Sequence, residues 1–380
     1  VVFATDGHGV GQILHFDVTI RNSGPVYAGK EVVQLYCEAP QCRLGKPARV
    51  LAGFAKTRTL KPGEHETLRI SVPLASLASY DDSGATGHRS CSVLEAGRYV
   101  FHVGGSVREA QPIGPVLELA ELLVVEQHRE ALAPVRPFAR LKPGARRNQG
   151  AYELTHEPVP LRTVNMHERI RAGLPRTREF TGDRGIRLAD VKAGKAALED
   201  FVAQIPPADL AVLVRGEGMC SPKVTPGTAA AFGGTTESLF QLGIPVAAAA
   251  DGPSGIRMDS GHKATQVPIG TLLACTWNAP LNEAIFALVG RELRAYRIDT
   301  LLGPGINIHR HPLNGRNFEY FSEDPFLTGA IAAAQVQHPH AGHDRQVPRQ
   351  RRAAFAPGCG DTPEVALFPQ FLIWIHRLPP

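Results

Sequence analysis

DTLLGPGINIHRHPLNGRNFEYFSEDPFLTG, residues 299–329, is the stretch that decides how the chain is read. It opens on a short apolar run, Thr300 to Leu302, that Gly303, Pro304 and Gly305 break; a buried strand ending in a loop has this pattern. The loop carries His309, Arg310, His311 and Arg316, and the polar–aromatic run Asn317 to Asp324 follows directly. Asp324-Pro325 predicts an N-cap with proline at the first helical position, ahead of a helix over Phe326 to Val336. Strand, polar loop and helix thus gather cations, carboxylates and aromatics at the strand's C-terminal end. α/β barrels and open α/β sheets build their sites there.

Outward from that stretch, an αβ rhythm begins at Ile186. Leu188 to Gln204 has helical spacing in Leu188, Val191, Ala196, Leu198, Phe201 and Val202. ADLAVLV (208–214) predicts a buried strand, followed by a loop rich in glycine and short polar residues. Its Gly216-Glu217-Gly218 does not match a phosphate-binding fingerprint, because no helix opens directly after it. IPVAAAA (244–250) predicts the next strand and runs into Asp251. Asn278, with Pro280 soon after, predicts the cap of a helix over Leu281 to Ile298. Repeated units of this kind suit a parallel barrel or a doubly wound sheet.

Ile13 to Gly104 reads differently. HFDVTI, EVVQLYC, VLAGFAKT, TLRISVPL and GRYVFHVGG are β-rich runs separated by turn signals such as Asn22-Ser23-Gly24-Pro25 and Lys61-Pro62-Gly63-Glu64. They predict a β-sandwich of immunoglobulin-like architecture, read as a scaffold or interface module because nothing there gathers catalytic groups. Residues 109–185, rich in proline, read as an extended connector with little core of its own. Within it ELAELLVVEQHREAL fits a strand or a helix, and periodicity does not choose.

Composition narrows the classes. A chain of 380 residues has room for two or three domains, and a net charge of +5 without a basic tract argues against nucleic-acid binding. Six scattered cysteines with no CxxC pair predict reduced thiols and a cytoplasmic setting. VVFATDGHGV does not read as a signal peptide, and no apolar run reaches the ~18 residues of a membrane span.

Several residues could carry chemistry. Asp251, directly after an apolar strand, could accept hydrogen bonds from two neighbouring sugar hydroxyls; an Asx-turn or helix cap is the alternative. Arg316 could clamp vicinal hydroxyls, or form a loop ion pair with Glu319, Glu323 or Asp324. Trp277, Tyr320 and Phe321 could form a sugar-stacking face or lie in the core. Glu217 and Glu319 could be general acids or bases, but neither has an identifiable partner. His309 and His311 lack a third ligand at a recognisable spacing, so no metal site is expected.

The motifs together are more specific than the residues singly. ADGPSGIR, LLACTWN and the 299–329 stretch resemble the N-terminal barrel domain of family 3 glycoside hydrolases, especially their β-glucosidases, across about residues 205–336. NSGPVYAGKEVVQLYCEAP, GFAKTRTLKPGEHETL and EAGRYVFHVGGS resemble the fibronectin type III-like domain that accompanies many of them. GEGMCSPKVTPGTAAAFGG looks like the subset in which that domain precedes the barrel. The resemblance implies a multidomain fold: a fibronectin type III-like β-sandwich (1–108), the connector (109–185) and the first part of a TIM-like α/β barrel (186–336). It also implies that Asp251 and Arg316 hold hydroxyls of the non-reducing sugar in the −1 subsite. The substrate class is then a β-glucoside, cleaved with retention and without a cofactor.

Retaining glycosidases use two carboxyl groups about 5–5.5 Å apart. The family's Lys-His pair and its nucleophilic aspartate are not found after Val336, and its acid/base glutamate usually comes from a domain that would precede Val1. No catalytic residue is therefore assigned, and the chain alone is expected to be unstable and inactive on aryl β-glucosides. Residues 337–380, crowded with His, Arg, Pro and Gln, read as an out-of-frame tail or a genuine divergent one. The rival functions are another family 3 specificity (β-xylosidase, arabinofuranosidase, N-acetylglucosaminidase) and a non-catalytic carbohydrate-binding or interaction protein. Homo-oligomerisation of the parent stays open.

Overall fold

The structure, a computed structural model, describes residues 1–130, 133–147, 151–219 and 221–336. The tail read from 337 to 380 lies outside the described residues, as do Cys220 and Cys359. The chain divides into two compact units, one spanning Val1–Leu174 and the other beginning at Pro175.

In the first unit the strands are β1 (Val2–Asp6), β2 (Ile13–Arg21), β3 (Val32–Glu38), β4 (Val50–Lys56), β5 (His65–Pro73), β6 (Ser79–Asp81), β7 (Cys91–Leu94), β8 (Gly97–Gly104), β9 (Gln111–Leu119) and β10 (Leu123–Gln127). They form a β1-β2-β5 sheet, a β4-β3-β8-β9 sheet and a small β10-β7-β6 sheet, and every pair is antiparallel. β2 shows why: Leu14, Phe16 and Val18 point inward, alternating with His15, Asp17 and Thr19. Leu14 and Phe16 of β2 and Val72 of β5 meet Leu35 of β3 and Tyr99 and Phe101 of β8 in one core, with the Phe16 and Phe101 ring centroids 4.8 Å apart. Each such side chain contributes about 1.5–3 kcal/mol through burial. Both predicted turns are present. Gly24 N donates to Asn22 Oδ1 at 3.0 Å, and Glu64 N donates to Lys61 O at 3.0 Å beside Gly63 at φ +82°.

A buried ion pair ties the loop after β3 to the β7–β8 turn. Lys46 and Glu95, each 4% exposed at the side chain, contact one another. Lys46 Nζ also donates to Pro40 O at 2.8 Å, and Glu95 accepts from the Arg43 and Leu44 amides at 2.9 and 3.2 Å. Between β6 and β7, the carboxylate of Asp81, wholly buried, accepts from the amides of Ser83, Gly84, Ala85 and Thr86 and from the Ser83 and Thr86 hydroxyls.

The connector expected over 109–185 is not bare chain. β9 pairs with β8 inside the sandwich, and β10 pairs with β7, so ELAELLVVEQHREAL resolves to a strand at Leu123–Gln127. A hairpin of β11 (Ala139–Arg146) and β12 (Tyr152–Pro158) follows, then α1 (Met166–Gly173), whose cap Asn165 accepts from the amides of His167 and Glu168. Pairing partners supplied by β7 and β8 override what the local pattern leaves undecided. The hairpin is held by charge: Arg140 reaches Asp82 at 2.6 Å and Glu157 at 2.7 Å, and Arg146 reaches Glu38 at 3.2 Å.

The second unit contains α2 (Leu188–Lys192), α3 (Leu198–Ala203), α4 (Pro207–Arg215), β13 (Ala230–Gly233), α5 (Glu237–Gln241), β14 (Val246–Asp251), α6 (Gly270–Cys275), α7 (Ala279–Ala295), β15 (Thr300–Leu302) and α8 (Pro325–Val336). The single helix expected over 188–204 is two, because Gly194 turns the chain at φ +71°. ADLAVLV, expected as a buried strand, is α4. Pro207 opens it at N1, Gly216 closes it at φ +66°, and Val214 is 91% exposed while Leu210 and Leu213 pack toward Phe201 and Leu239. An i, i+3 contact pair within a short apolar run separates helix from strand only once the neighbours are known. α7 is capped as predicted, with Asn278 Oδ1 accepting from Leu281 N at 3.1 Å. Ala250, Ile256, Leu273, Phe286, Val289 and Ile298 form the core that joins β14 to α6 and α7.

β14 lies centrally in the β13-β14-β15 sheet, antiparallel to β13 and parallel to β15. The wholly parallel arrangement suggested by the αβ rhythm is thus seen in one pair of this sheet.

Candidate functional site

Asp251 and Leu302 are register partners at the C-terminal ends of β14 and β15, so the two loops that carry the candidate residues leave the same end of the sheet. After Asp251 the chain makes a tight loop in which Arg257 N donates to Asp251 O at 2.8 Å. Glycine is required within it. Gly252 has φ +153°, and a Cβ there would sit 2.0 Å from Gly255 O. Gly303 packs on Pro253, a Cβ at Gly303 lying 3.3 Å from Pro253 Cα, so the two loops touch. The Asp251 side chain is 48% exposed, with Arg257 Nη1 4.0 Å from its Oδ2. Arg257 closes the ADGPSGIR motif, and its place six residues after Asp251 is the only sequence signal for this contact. Arg257 also contacts Asp259 at 3.0 Å.

The loop after β15 reaches a 3-10 turn at Asn317–Glu319. The Thr271 hydroxyl, in the first turn of α6, lies 3.0, 3.3 and 2.8 Å from the carbonyls of Asn317, Phe318 and Tyr320. Thr271 is a second residue that the sequence does not mark, since it stands just before LLACTWN (272–278). Arg316 is 62% exposed at its side chain and pairs through Nε with the buried carboxylate of Glu319. Glu319 first, and more weakly Tyr320 and Asp251, raise the Arg316 guanidinium above its ordinary range. Asp251 ends β14 and Arg316 lies on the loop that leaves β15, so the two predicted residues are carried by loops from one end of the sheet. The ion-pair alternative for Arg316 is realised with Glu319 and leaves much of the side chain exposed.

The other candidates fall into place. Tyr320 and Phe321 are buried, so core packing wins over a stacking face; Trp277 is half-buried at φ +51° after α6. His309 Nε2 bonds Asn317 O at 2.8 Å, and His311 Nδ1 accepts from Leu313 N at 3.1 Å; both side chains shape the loop. Among the described residues no cluster of His, Cys, Asp and Glu could hold a metal ion. Glu217 pairs with Lys223 and accepts from Ser221 Oγ at 2.7 Å, and these two, the ammonium first, hold its carboxyl below the usual range. Such a carboxyl is a poor proton donor at neutral pH. Asp324 accepts from Leu327 N at 2.8 Å, the expected cap of α8.

Close backbone packing fixes the turn. A Cβ on Gly270 would lie 2.3 Å from Glu319 O. Gly270→Ala is expected to destabilise the second unit by about 1–3 kcal/mol, as overpacking against backbone does, read from urea unfolding followed by tryptophan fluorescence.

Residues 212–343 match the glycosyl hydrolase family 3 N terminal domain, and residues 31–107 match the fibronectin type III-like domain. The chain carries a family 3 N-terminal domain. It is 53% identical over 322 residues to a β-glucosidase of Ruminococcus albus, covering 85% of this chain and 33% of that protein. It is 38% identical over 343 residues to β-glucosidase A of Butyrivibrio fibrisolvens, covering 84% and 39%. A crystal structure of a β-glucosidase from Paenibacillus barengoltzii superposes with a TM-score of 0.86 at 58% identity, over 89% of this chain and 37% of that one. The chain thus spans between a third and two fifths of the length of these relatives. Its fibronectin type III-like domain precedes the family 3 domain, the order that the sequence motifs suggested. Asp251, Arg257, Arg316 and Glu319 all fall inside the family 3 match. Among the described residues no helix is long and apolar enough to cross a membrane.

Proposed function

We propose that this chain supplies sugar recognition to a retaining β-glucosidase, with Asp251 and Arg316 holding hydroxyls of a terminal β-D-glucosyl residue. The observation that carries the reading is that the loops bearing a half-exposed carboxylate, Asp251, and an exposed guanidinium, Arg316, leave the same end of a parallel strand pair. A carboxylate accepts two hydroxyl protons and a guanidinium donates in a rigid fork, which together suit vicinal diols. The similar proteins are β-glucosidases, which supports the substrate class. In this reading residues 1–108, together with β9 and β10, are the accessory sandwich, the remainder of 109–185 leads on from it, and 186–336 are the first part of a TIM-like barrel.

Hydrolysis needs a nucleophile and an acid/base, and no catalytic role is assigned to a described residue. Glu217 and Glu319, the two candidates, are each engaged by a cation. The chain alone is expected to bind D-glucose without cleaving 4-nitrophenyl β-D-glucoside. Asp251→Ala should weaken glucose binding at least about tenfold, since hydrogen bonds to a charged group contribute about 1.5–3 kcal/mol. Saturation-transfer NMR with glucose tests this. Turnover of the nitrophenyl glucoside by the purified chain, abolished by Asp251→Ala, would sink the division of labour proposed here.

A further inference from the structure

The Arg316–Glu319 pair has a feature that a surface ion pair lacks: one partner is exposed and the other is built in. Glu319 is buried, and its backbone is clamped from two sides, a Cβ on Gly270 or Gly305 lying 2.3 or 3.0 Å from Glu319 O. The Thr271 hydroxyl and His309 Nε2 hold the neighbouring carbonyls. Arg316 leads into the same turn, with Glu319 N donating to Arg316 O at 3.1 Å. An arginine this exposed would otherwise sample many rotamers, and a ligand would have to order it at an entropic cost. Glu319 engages Nε, and among the described residues no hydrogen bond to the terminal Nη donors is seen, so that part of the fork is open to a ligand.

We propose that Glu319 is a positioning residue: anchored by α6 and the loop after β15, it fixes the Arg316 guanidinium in its sugar-binding orientation. The inference rests on the reading of Arg316 as a sugar contact. It assigns Glu319 no proton transfer and no contact with the sugar. The shared anchoring also explains why the acid must be buried, since an exposed carboxylate would itself need ordering before it could order its partner.

The test uses the 380-residue chain and two readouts: the Arg316 Nε–H resonance in arginine-labelled protein, assigned by its loss in Arg316→Lys, and D-glucose binding by saturation transfer. Glu319→Gln keeps an acceptor for Nε and should retain the resonance and most of the binding. Glu319→Ala should collapse the resonance to that of a freely exchanging arginine and weaken glucose binding about fivefold or more, within the range of measured couplings. Because Glu319 acts through Arg316, adding Glu319→Ala to Arg316→Ala should cost no further binding. An unchanged Nε–H resonance in Glu319→Ala, additive losses in the double variant, or a collapsed resonance with undiminished binding would each overturn the proposal. Absence of any glucose signal from the unsubstituted chain would count against the sugar-subsite reading, while the Nε–H resonance would still decide whether Glu319 fixes Arg316.

Discussion

Lys46→Met is expected to destabilise the β-sandwich by about 3–5 kcal/mol, because it strands the Glu95 carboxylate in the interior. Replacing both members, as Lys46→Met with Glu95→Leu, should recover only part of that loss. The pair does more than neutralise charge: Glu95 also satisfies the Arg43 and Leu44 amides, which a leucine would leave without an acceptor. Of the two tryptophans, Trp277 lies in the second unit and Trp374 outside the described residues, so tryptophan emission is the wrong probe for this one. Hydrogen–deuterium exchange of β2, β3 and β8 across a urea series reads the sandwich directly. Protection unchanged in Lys46→Met would show that the ion pair carries no net stability.

Asp81→Ala is expected to cost more than about 3 kcal/mol, since it removes one acceptor from four backbone amides and two hydroxyls in a buried turn. The same carboxylate makes the sandwich acid-sensitive. Burial alone would push it up, but the Thr86 hydroxyl, the Thr86 and Gly84 amides and the Ser83 hydroxyl outweigh burial and draw it down from 3.8 to about 2. A group lowered on folding stabilises the native state above its unfolded value and loses that contribution as pH falls. The contribution, about 2 kcal/mol, should therefore be intact above pH 4 and vanish as the pH falls toward 2. Exchange-detected stability of the unsubstituted chain should fall across that window, and the Asp81→Ala chain should lack this component of the slope.

These two residues were invisible in the sequence, for a physical reason. Lys46 and Asp81 look like ordinary loop charges, and only the closure of strands around them turns them into buried anchors. Where one short segment holds both signal and partner, the sequence was readable. Asp324-Pro325 announces α8, Asn278 announces α7, and Gly303-Pro304-Gly305 ends β15. Where the partner lies far away it was not. β9 and β10 are strands because β8 and β7 stand ready to pair with them, and ADLAVLV is a helix because Phe201, Ile205 and Leu239 meet one of its faces. Asp251 and Arg316 follow from motif resemblance, and the sheet shows that the loops carrying them leave the same end of a parallel strand pair. The anchoring of Glu319 by Gly270 and Thr271 depended on packing across nearly fifty residues and left no local trace.

The parallel pairing of β14 with β15 also sets when the proposed sugar subsite would come into being. Ala249 meets Thr300, and Asp251 meets Leu302, across α6 and α7, so about fifty residues must be gathered before the pair can close. The sandwich, by contrast, grows partly from neighbouring strands such as β1 with β2 and β3 with β4. Contacts this distant in sequence form slowly relative to local ones. Asp251 at the end of a lone β14 is an acid in a glycine turn, and Arg316 ahead of β15 docking is a cation on a tether. In the proposed reading both become a sugar subsite in the same event, and whatever unzips the three register pairs of β14 and β15 dismantles it at a stroke.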